Sequence, residues 1–228
     1  MASMDDIRAI AVPEATGSWY PMGYVPMIEQ IEKRAGELLG MGIKDRQLGL
    51  GRNGDQFFGL WELDGTSDDG MGISIGARGS IDKSIAQGFV AGGNVFVCDN
   101  LCFSGDAVHV VRKNTRNVLE DVMAKIDDVL IAAVGSFDGL IADRQRLMEI
   151  DVDTTRGYEL IGRAVGTDIL RPTAANVAYR EWRAPTHEEF APRTLWSLYN
   201  AFTEGLKKGQ AADVISRHTG VHGFFADA

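Results

Sequence analysis

The sequence predicts an α+β fold with an N-terminal helix, an antiparallel β-meander of about five to six short strands, a long helix and a helical C-terminal region. Three observations predict it. Apolar residues recur at helical spacing after Pro26, short runs bounded by turn residues fill residues 47–111, and helical spacing returns after Asn114. Strands that are grouped in sequence, with helices before and after them, indicate α+β rather than α/β.

The first helix is predicted after an irregular lead-in of residues 1–24. Pro26 suits a first helical turn, Ile28 and Ile31 begin one apolar face, and Gly40 can end the helix.

The predicted strands are separated by turn-forming pairs such as Asn53-Gly54 and by Gly92-Gly93-Asn94. Their spacing is too short for the crossovers that parallel strands need, so we expect antiparallel pairing. The runs are Gln47–Gly51, Gln56–Leu63, Met71–Ala77, Ile85–Val90, Asn94–Cys98 and Ala107–Val111.

The later helices are predicted from capping residues. Asn114 or Thr115 is a candidate N-cap for the long helix, which we expect to continue toward Ile150. The region after residue 153 shows four further signals: Asp153 or Thr154 as an N-cap, Pro172 as a helix start, a capping-box spacing at Thr186-His187-Glu188-Glu189, and a helix over Pro192–Lys208.

We expect one domain over residues 1–228: the lead-in (1–24), a core of helix, sheet and long helix (25–152) and the helical region (153–228). The chain of 228 residues is long enough to bury a core without disulfides. No apolar run approaches the roughly 20 residues of a membrane span, and no secretory signal is recognisable. We therefore expect a cytoplasmic protein that makes no membrane contact, with Cys98 and Cys102 as free thiols.

The 23 basic and 32 acidic residues give a net charge of −9, which excludes a broadly basic protein that coats nucleic acid. The densest basic cluster is Arg112-Lys113-Asn114-Thr115-Arg116, at the predicted start of the long helix. Free N–H groups at a helix N-terminus and three cations suit phosphates. The alternative is a solvated helix start whose neighbouring strand aromatics belong to the core.

Other motifs favour structural roles. Residues 49–54 fit G-x-G-x-x-G, but the strand pattern that follows favours a hairpin turn over a dinucleotide site. Cys98, Cys102, Asp106 and His109 are better explained as core residues than as a zinc site, and His218 and His222 as a solvated helix end. Asp82 and Lys83, between Ser80 and Ser84, suggest a loop ion pair. We expect no cofactor and no bound metal.

Three segments carry a resemblance: residues 92–101 (GGNVFVCDNL), 110–115 (VVRKNT) and 194–204 (TLWSLYNAFTE). Together they resemble the uncharacterised phage/plasmid-like protein family, a domain of unknown function carried by phages, prophages and plasmids. The last segment, with its Trp-x-x-Tyr-Asn-Ala-x-Thr-Glu pattern, is the most specific. The resemblance implies a mobile-element setting in a host cell cytoplasm and assigns no catalytic residue, because the family has no settled activity.

Two functions follow as hypotheses. In the first, the chain is a non-catalytic phage protein that binds or anneals single-stranded DNA as a homo-oligomer. Arg112, Lys113, Arg116, Arg78 and Lys83 would contact phosphates, and Trp61 would stack a base. In the second, the acidic chain binds a basic host or virion protein, as an anti-defence factor or a structural component. An enzyme built on the Cys98–His109 region is the third and weakest interpretation.

Overall fold

The computed structural model describes residues 1–64, 71–95, 100–102, 108–111, 116–207 and 214–226. Helices and strands follow one another in the predicted order, and the α+β class is confirmed. The helices are α1 (Met4–Arg8), α2 (Tyr24–Leu39), α3 (Val118–Glu149), α4 (Thr154–Gly166), α5 (Pro172–Arg183), α6 (Leu195–Leu206) and α7 (Val214–Ala226). The strands are β1 (Ile43–Gly51), β2 (Gln56–Leu63), β3 (Met71–Ser80), β4 (Gln87–Val95), β5 (Asn100–Cys102) and β6 (Val108–Val111).

Within the described residues the strands form one six-stranded sheet in the order β1-β2-β3-β4-β5, with β6 also paired to β4. The registers of β1–β2, β2–β3, β4–β5 and β4–β6 are all antiparallel, as the short connections predict. Of the three G-x-G-x-x-G glycines, Gly49 and Gly51 lie in β1, and Gly54 lies in the β1–β2 turn. Asn53 and Gly54 there have φ of 55° and 102°, so this motif is a hairpin turn and not a nucleotide loop.

The chain divides into two compact units: Met1–Asp68, Gly72–Gly92 and Asp106–Ser136 form the first, and Asp69–Met71, Gly93–Gly105 and Phe137–Ala228 form the second. We call them the sheet unit and the helical unit and describe each by itself. The expectation of a single domain over residues 1–228 stays a prediction.

In the sheet unit, α2 packs against β2. The ring of Tyr24 stacks on Phe57 with centroids 5.2 Å apart, and the Trp61 indole N–H donates to Glu32 at 3.0 Å. Arg34 of α2 makes two contacts with Asp127 of α3, Nε–Oδ1 and Nη2–Oδ2, both 2.6 Å. These hydrogen bonds raise the pKa of the Arg34 guanidinium above its ordinary value, so the cation is retained where the two helices meet.

In the helical unit, α6 is the central helix: every residue of Leu195–Leu206 except Glu204 is buried. A helix covered on all sides must satisfy its own polar groups. Accordingly Asn200 donates to the Trp196 carbonyl at 2.9 Å, and the Thr203 hydroxyl donates to the Asn200 carbonyl at 3.0 Å. The rest of the core comes from neighbouring helices and includes Leu147, Leu160, Trp182, Val221 and Phe225.

Two predicted boundaries at the start of the chain and in the sheet are wrong. Residues 1–24 contain α1, because Ser3 and Asp6 form a capping box with Asp in the place of the usual Glu. The predicted strands Ile85–Val90 and Asn94–Cys98 are one strand up to Val95, since the backbone stays extended through Gly92-Gly93-Asn94. Residues 96–98 lie outside the described part of the chain.

Two predictions for the C-terminal helices also change. The Thr186-His187-Glu188-Glu189 box does not open an α-helix: Thr186 binds the Glu181 carboxylate, and only a 3-10 turn follows at Glu188–Phe190. The helix predicted over Pro192–Lys208 begins at Leu195, where Thr194 is the N-cap. The predicted starts at Asp153 and Pro172 are confirmed.

No helix in the described residues combines the length and apolarity needed to cross a membrane.

Candidate anion-binding pocket

The connection between α4 and α5 is a tight turn of five residues. Backbone N–H groups of Ile169 and Leu170 both bond the Ala164 carbonyl, which closes the end of α4. Asp168 adopts a left-handed conformation with φ of 58°, and the buried Leu170 anchors the turn in the core. The chain then enters α5 with Arg171 as N-cap and Pro172 in the first helical turn.

Helix α7 lies beside this turn. The Arg217 guanidinium donates from Nη1 to the Asp168 carbonyl at 2.8 Å, and the Ile169 side chain approaches Gly220. Between turn and helix is an open pocket of about 310 Å³, a volume near the lower end of the range for ligand sites. It is lined by Asp168, Ile169, Arg171, Ser216, Arg217 and Gly220.

Close helix packing fixes the first turn of α5. A Cβ on Gly205 of α6 would lie 2.5 Å from the Ala174 carbonyl oxygen, so only glycine allows this approach. Further along α5, Trp182 lies over Gly157 of α4, where a Cβ would fall 2.2 Å from the indole nitrogen. Two glycines in neighbouring helices therefore hold α5, and with it Arg171, in place.

The electrostatics of the pocket favour an anion. Two guanidiniums, from Arg171 and Arg217, line it together with one carboxylate, from Asp168, and the Ser216 hydroxyl is a further hydrogen-bonding group. The Asp168 carbonyl engages one of the five N–H donors of Arg217. The positive end of the α5 dipole adds to the field at the pocket wall.

A comparison with known protein families gives one result that bears on the whole chain. Residues 28–222 match the model of the family described as a domain of unknown function, DUF932. The chain belongs to this family. All three segments that carry the resemblance noted above, and all six residues that line the pocket, lie within the matched range. No curated protein and no solved structure matches the chain.

The segment that is most specific to the family resemblance is residues 194–204. It forms the N-cap Thr194 and most of α6. Its aromatic residues are in the core: Trp196 stacks on Tyr199 with centroids 5.4 Å apart, and Tyr199 contacts the edge of Phe225 at 5.3 Å. This pattern therefore indicates a buried structural helix.

The predicted nucleic-acid contacts are not gathered into one site in the described residues. Arg112 and Lys113 lie outside the described part of the chain, and Arg116 is exposed just before α3. Arg78 is half-buried on β3, beside Gly88. Lys83 is exposed, and its Nζ lies 4.6 Å from the centroid of the Trp19 ring.

Trp61 is unsuited to the stacking role expected of it. Its side chain is fully buried at 0% exposure, and its indole N–H is bonded to Glu32. A base needs an exposed ring face, so we do not include Trp61 in the site. Strand alternation explains the placement, because Trp61 and Phe57 share the β2 face that packs on α2.

The Asp82–Lys83 ion pair expected from the sequence is also absent. Asp82 instead accepts from the Ser84 backbone N–H at 2.9 Å and lies 3.4 Å from Arg52 Nη1. Burial alone would raise the pKa of Asp82, but hydrogen bonds from Ser84, Ser80 and Arg52 outweigh it and lower the pKa.

The histidine and cysteine motifs add no described metal site. His218 is buried at 3% exposure, and His222 Nε2 lies 3.5 Å from the Asp143 carboxylate, so the expected solvated helix end is wrong. Among the described residues no group of three or more His, Cys, Asp or Glu side chains is placed to hold a metal. Cys98 and Asp106 lie outside these residues, as do the side chains of Cys102 and His109.

Sequence reasoning missed the pocket because Arg171 and Arg217 are 46 positions apart. Each is an isolated cation in the sequence, without the clustering that drew attention to residues 112–116. The one local signal was Arg171-Pro172, which marks a helix N-terminus with a cation beside it.

Proposed function

We propose that this DUF932 protein binds single-stranded nucleic acid through its backbone phosphates, with the pocket between the α4–α5 turn and α7 as one phosphate site. The observation that carries the proposal is the convergence of Arg171 and Arg217 on one open pocket. Guanidinium groups bind phosphate oxygens with paired hydrogen bonds, so two of them around a pocket suit a phosphodiester.

The distribution of charge along the chain supports this location. Residues 1–136 contain 12 basic and 19 acidic residues, whereas residues 137–228 contain 11 and 13. Most of the net charge of −9 therefore belongs to the first part of the chain. Nine of the C-terminal cations are arginines, the residue best suited to phosphate recognition.

The same charges set the expected strength of binding. A chain with net charge −9 repels a polyanion at long range, so we expect modest affinity that depends on few contacts. Annealing by a homo-oligomer, the finer expectation from the sequence, requires this binding as its first step and is part of the proposal. The phage or plasmid setting belongs to the proposal in the same way.

The test is fluorescence anisotropy of a labelled single-stranded oligonucleotide of mixed sequence titrated with the full chain. At about 50 mM NaCl we expect a micromolar dissociation constant, weakened clearly at about 200 mM because counterions compete for phosphates. An unlabelled strand of the same sequence should compete. Absence of any anisotropy change at about 50 µM protein in the lower salt overturns the proposal.

A further inference from the structure

A pair of stacked tyrosines lies on the helices that lead into the pocket. Tyr158 of α4 and Tyr179 of α5 have ring centroids 5.1 Å apart and planes inclined by 29°. Tyr179 is 40% exposed, which is unusual for a large aromatic side chain in a helix of this unit. Tyr158 is partly buried against the core, so the pair has a fixed inner ring and an exposed outer one.

The contact between α4 and α5 does not depend on this exposed ring. Ala164 and Ala178 are fully buried at 0% exposure, and Trp182 lies against Gly157, so the interface is already closed beneath the pair. The exposed part of the Tyr179 ring is therefore not needed to hold the two helices together.

Two open positions lie on α4 between the tyrosine pair and the pocket, at Gly162 and Gly166. Gly162 follows Tyr158 by one helical turn and Gly166 follows by two, so all three share one face of α4. At neither glycine does any atom lie within 4 Å of the position a Cβ would take. From Tyr158 to Gly166, the last residue of α4, the helical rise is about 12 Å, a distance that a short stretch of single strand can span.

Arginine side chains lie on α5 both before and after Tyr179. Arg183 is exposed and follows Tyr179 by one turn of α5, while Arg171 stands at the start of the same helix and lines the pocket. An aromatic platform between cations is the arrangement that binds single strands, because bases stack on the rings while phosphates contact the charges.

We propose that the Tyr158–Tyr179 pair is a stacking site for an unpaired nucleobase of the strand whose phosphate occupies the arginine pocket. The inference rests on the proposed function and concerns its preference for single strands. Bases in a duplex are already stacked and paired, so the site favours single strands over double strands.

The experiment compares the wild-type chain with Tyr179→Ala and Tyr179→Phe, using an intact oligonucleotide and an abasic one of equal length and charge. Tyr179→Ala should weaken binding of the intact strand about 5- to 150-fold, the range that corresponds to loss of one stacked base. Tyr179→Phe keeps the ring and should bind like the wild type. The abasic strand should bind the wild type and Tyr179→Ala equally weakly.

The possible failures are distinguishable. If the wild type binds neither strand, the proposed function itself is wrong. If the wild type binds intact and abasic strands equally, or if Tyr179→Ala binds the intact strand like the wild type, nucleic-acid binding stands and the stacking site is wrong.

Far-ultraviolet circular dichroism and a thermal melt establish that each variant is folded. Should Tyr179→Ala not fold, quenching of tyrosine fluorescence by the intact strand, but not the abasic strand, tests the same contact in the wild type.

Discussion

Arg217 of α7 donates a hydrogen bond of 2.8 Å to the backbone carbonyl of Asp168, in the turn that joins α4 to α5. The acceptor is a main-chain atom, so the contact orients the guanidinium without neutralising it. One N–H group holds the side chain in position, and the charge remains at the pocket wall. This arrangement makes Arg217 the residue whose replacement is most informative.

Replacing Arg217 should lower affinity in a way that depends on salt. For Arg217→Ala we expect the slope of log K against log [NaCl] to decrease in magnitude by about 0.7, the value for one phosphate contact on a single strand. Arg217→Lys keeps the charge but loses the planar donor fork, so we expect an intermediate affinity. Titrations at several salt concentrations measure this slope.

Arg156→Ala removes an exposed arginine paired with Glu159 at 3.3 Å and is the control. An equal change of slope in that control contradicts a specific contact.

Gly220 allows a test in which only charge differs. A Cβ there meets Ile169 at 3.6 Å, an ordinary contact, so a side chain can be placed at the pocket wall without a backbone clash. Gly220→Glu should weaken oligonucleotide binding more than Gly220→Gln, because only the carboxylate repels a phosphate. Anisotropy titration of both variants at low salt makes the comparison. Equal affinities for the two would show that the anion does not enter this pocket.

Gly205→Ala should destabilise the helical unit. The new methyl would lie 2.5 Å from the Ala174 backbone oxygen, and overpacking of this kind costs about 1–3 kcal/mol. Gly139→Ala on α3 is the matched control, since no atom lies within 4 Å of its Cβ position. Alanine in that helix interior should stabilise by up to about 1 kcal/mol. Urea denaturation followed by circular dichroism gives both values, and a stabilised Gly205→Ala would refute the close α5–α6 approach.

Asp82 should contribute to the pH dependence of stability. Its pKa is lower in the folded chain than its ordinary value of 3.8, so its contribution is present above that pH and is lost as the pH falls through the folded value. Between about pH 5 and pH 3 the wild type should therefore lose more unfolding free energy than Asp82→Asn, in which this group does not titrate. Urea midpoints at both pH values provide the measurement. Equal losses of unfolding free energy in the two proteins would mean that the loop hydrogen bonds do not stabilise the ionised Asp82 carboxylate.

The elements that the sequence predicted well are those with local causes. Gly40 ends α2 in a left-handed conformation, Asp153 caps α4 with its own side chain, and Pro172 lies in the first turn of α5. Gln56–Leu63 is a strand with the predicted bounds because alternation and flanking turns agree.

The parts that could not be predicted depend on tertiary contacts. Trp61 and an exposed aromatic residue look alike in sequence, and only packing against α2 decides that Trp61 is buried. Thr186 has the spacing of a cap but binds Glu181 of the preceding helix instead. The pocket itself needs α7 to return to the α4–α5 turn, and that return has no local signature.

The central claim is that the arginine pocket binds the phosphates of a single strand. Its most direct test is the affinity of Arg171→Ala/Arg217→Ala beside Arg112→Ala/Arg116→Ala, a variant that removes equal charge from the basic cluster identified in the sequence. We expect the pocket variant to lose at least about 10-fold in affinity at low salt, together with the larger part of the salt dependence. A pocket variant that binds like the wild type, with the loss confined to the other variant, would contradict it.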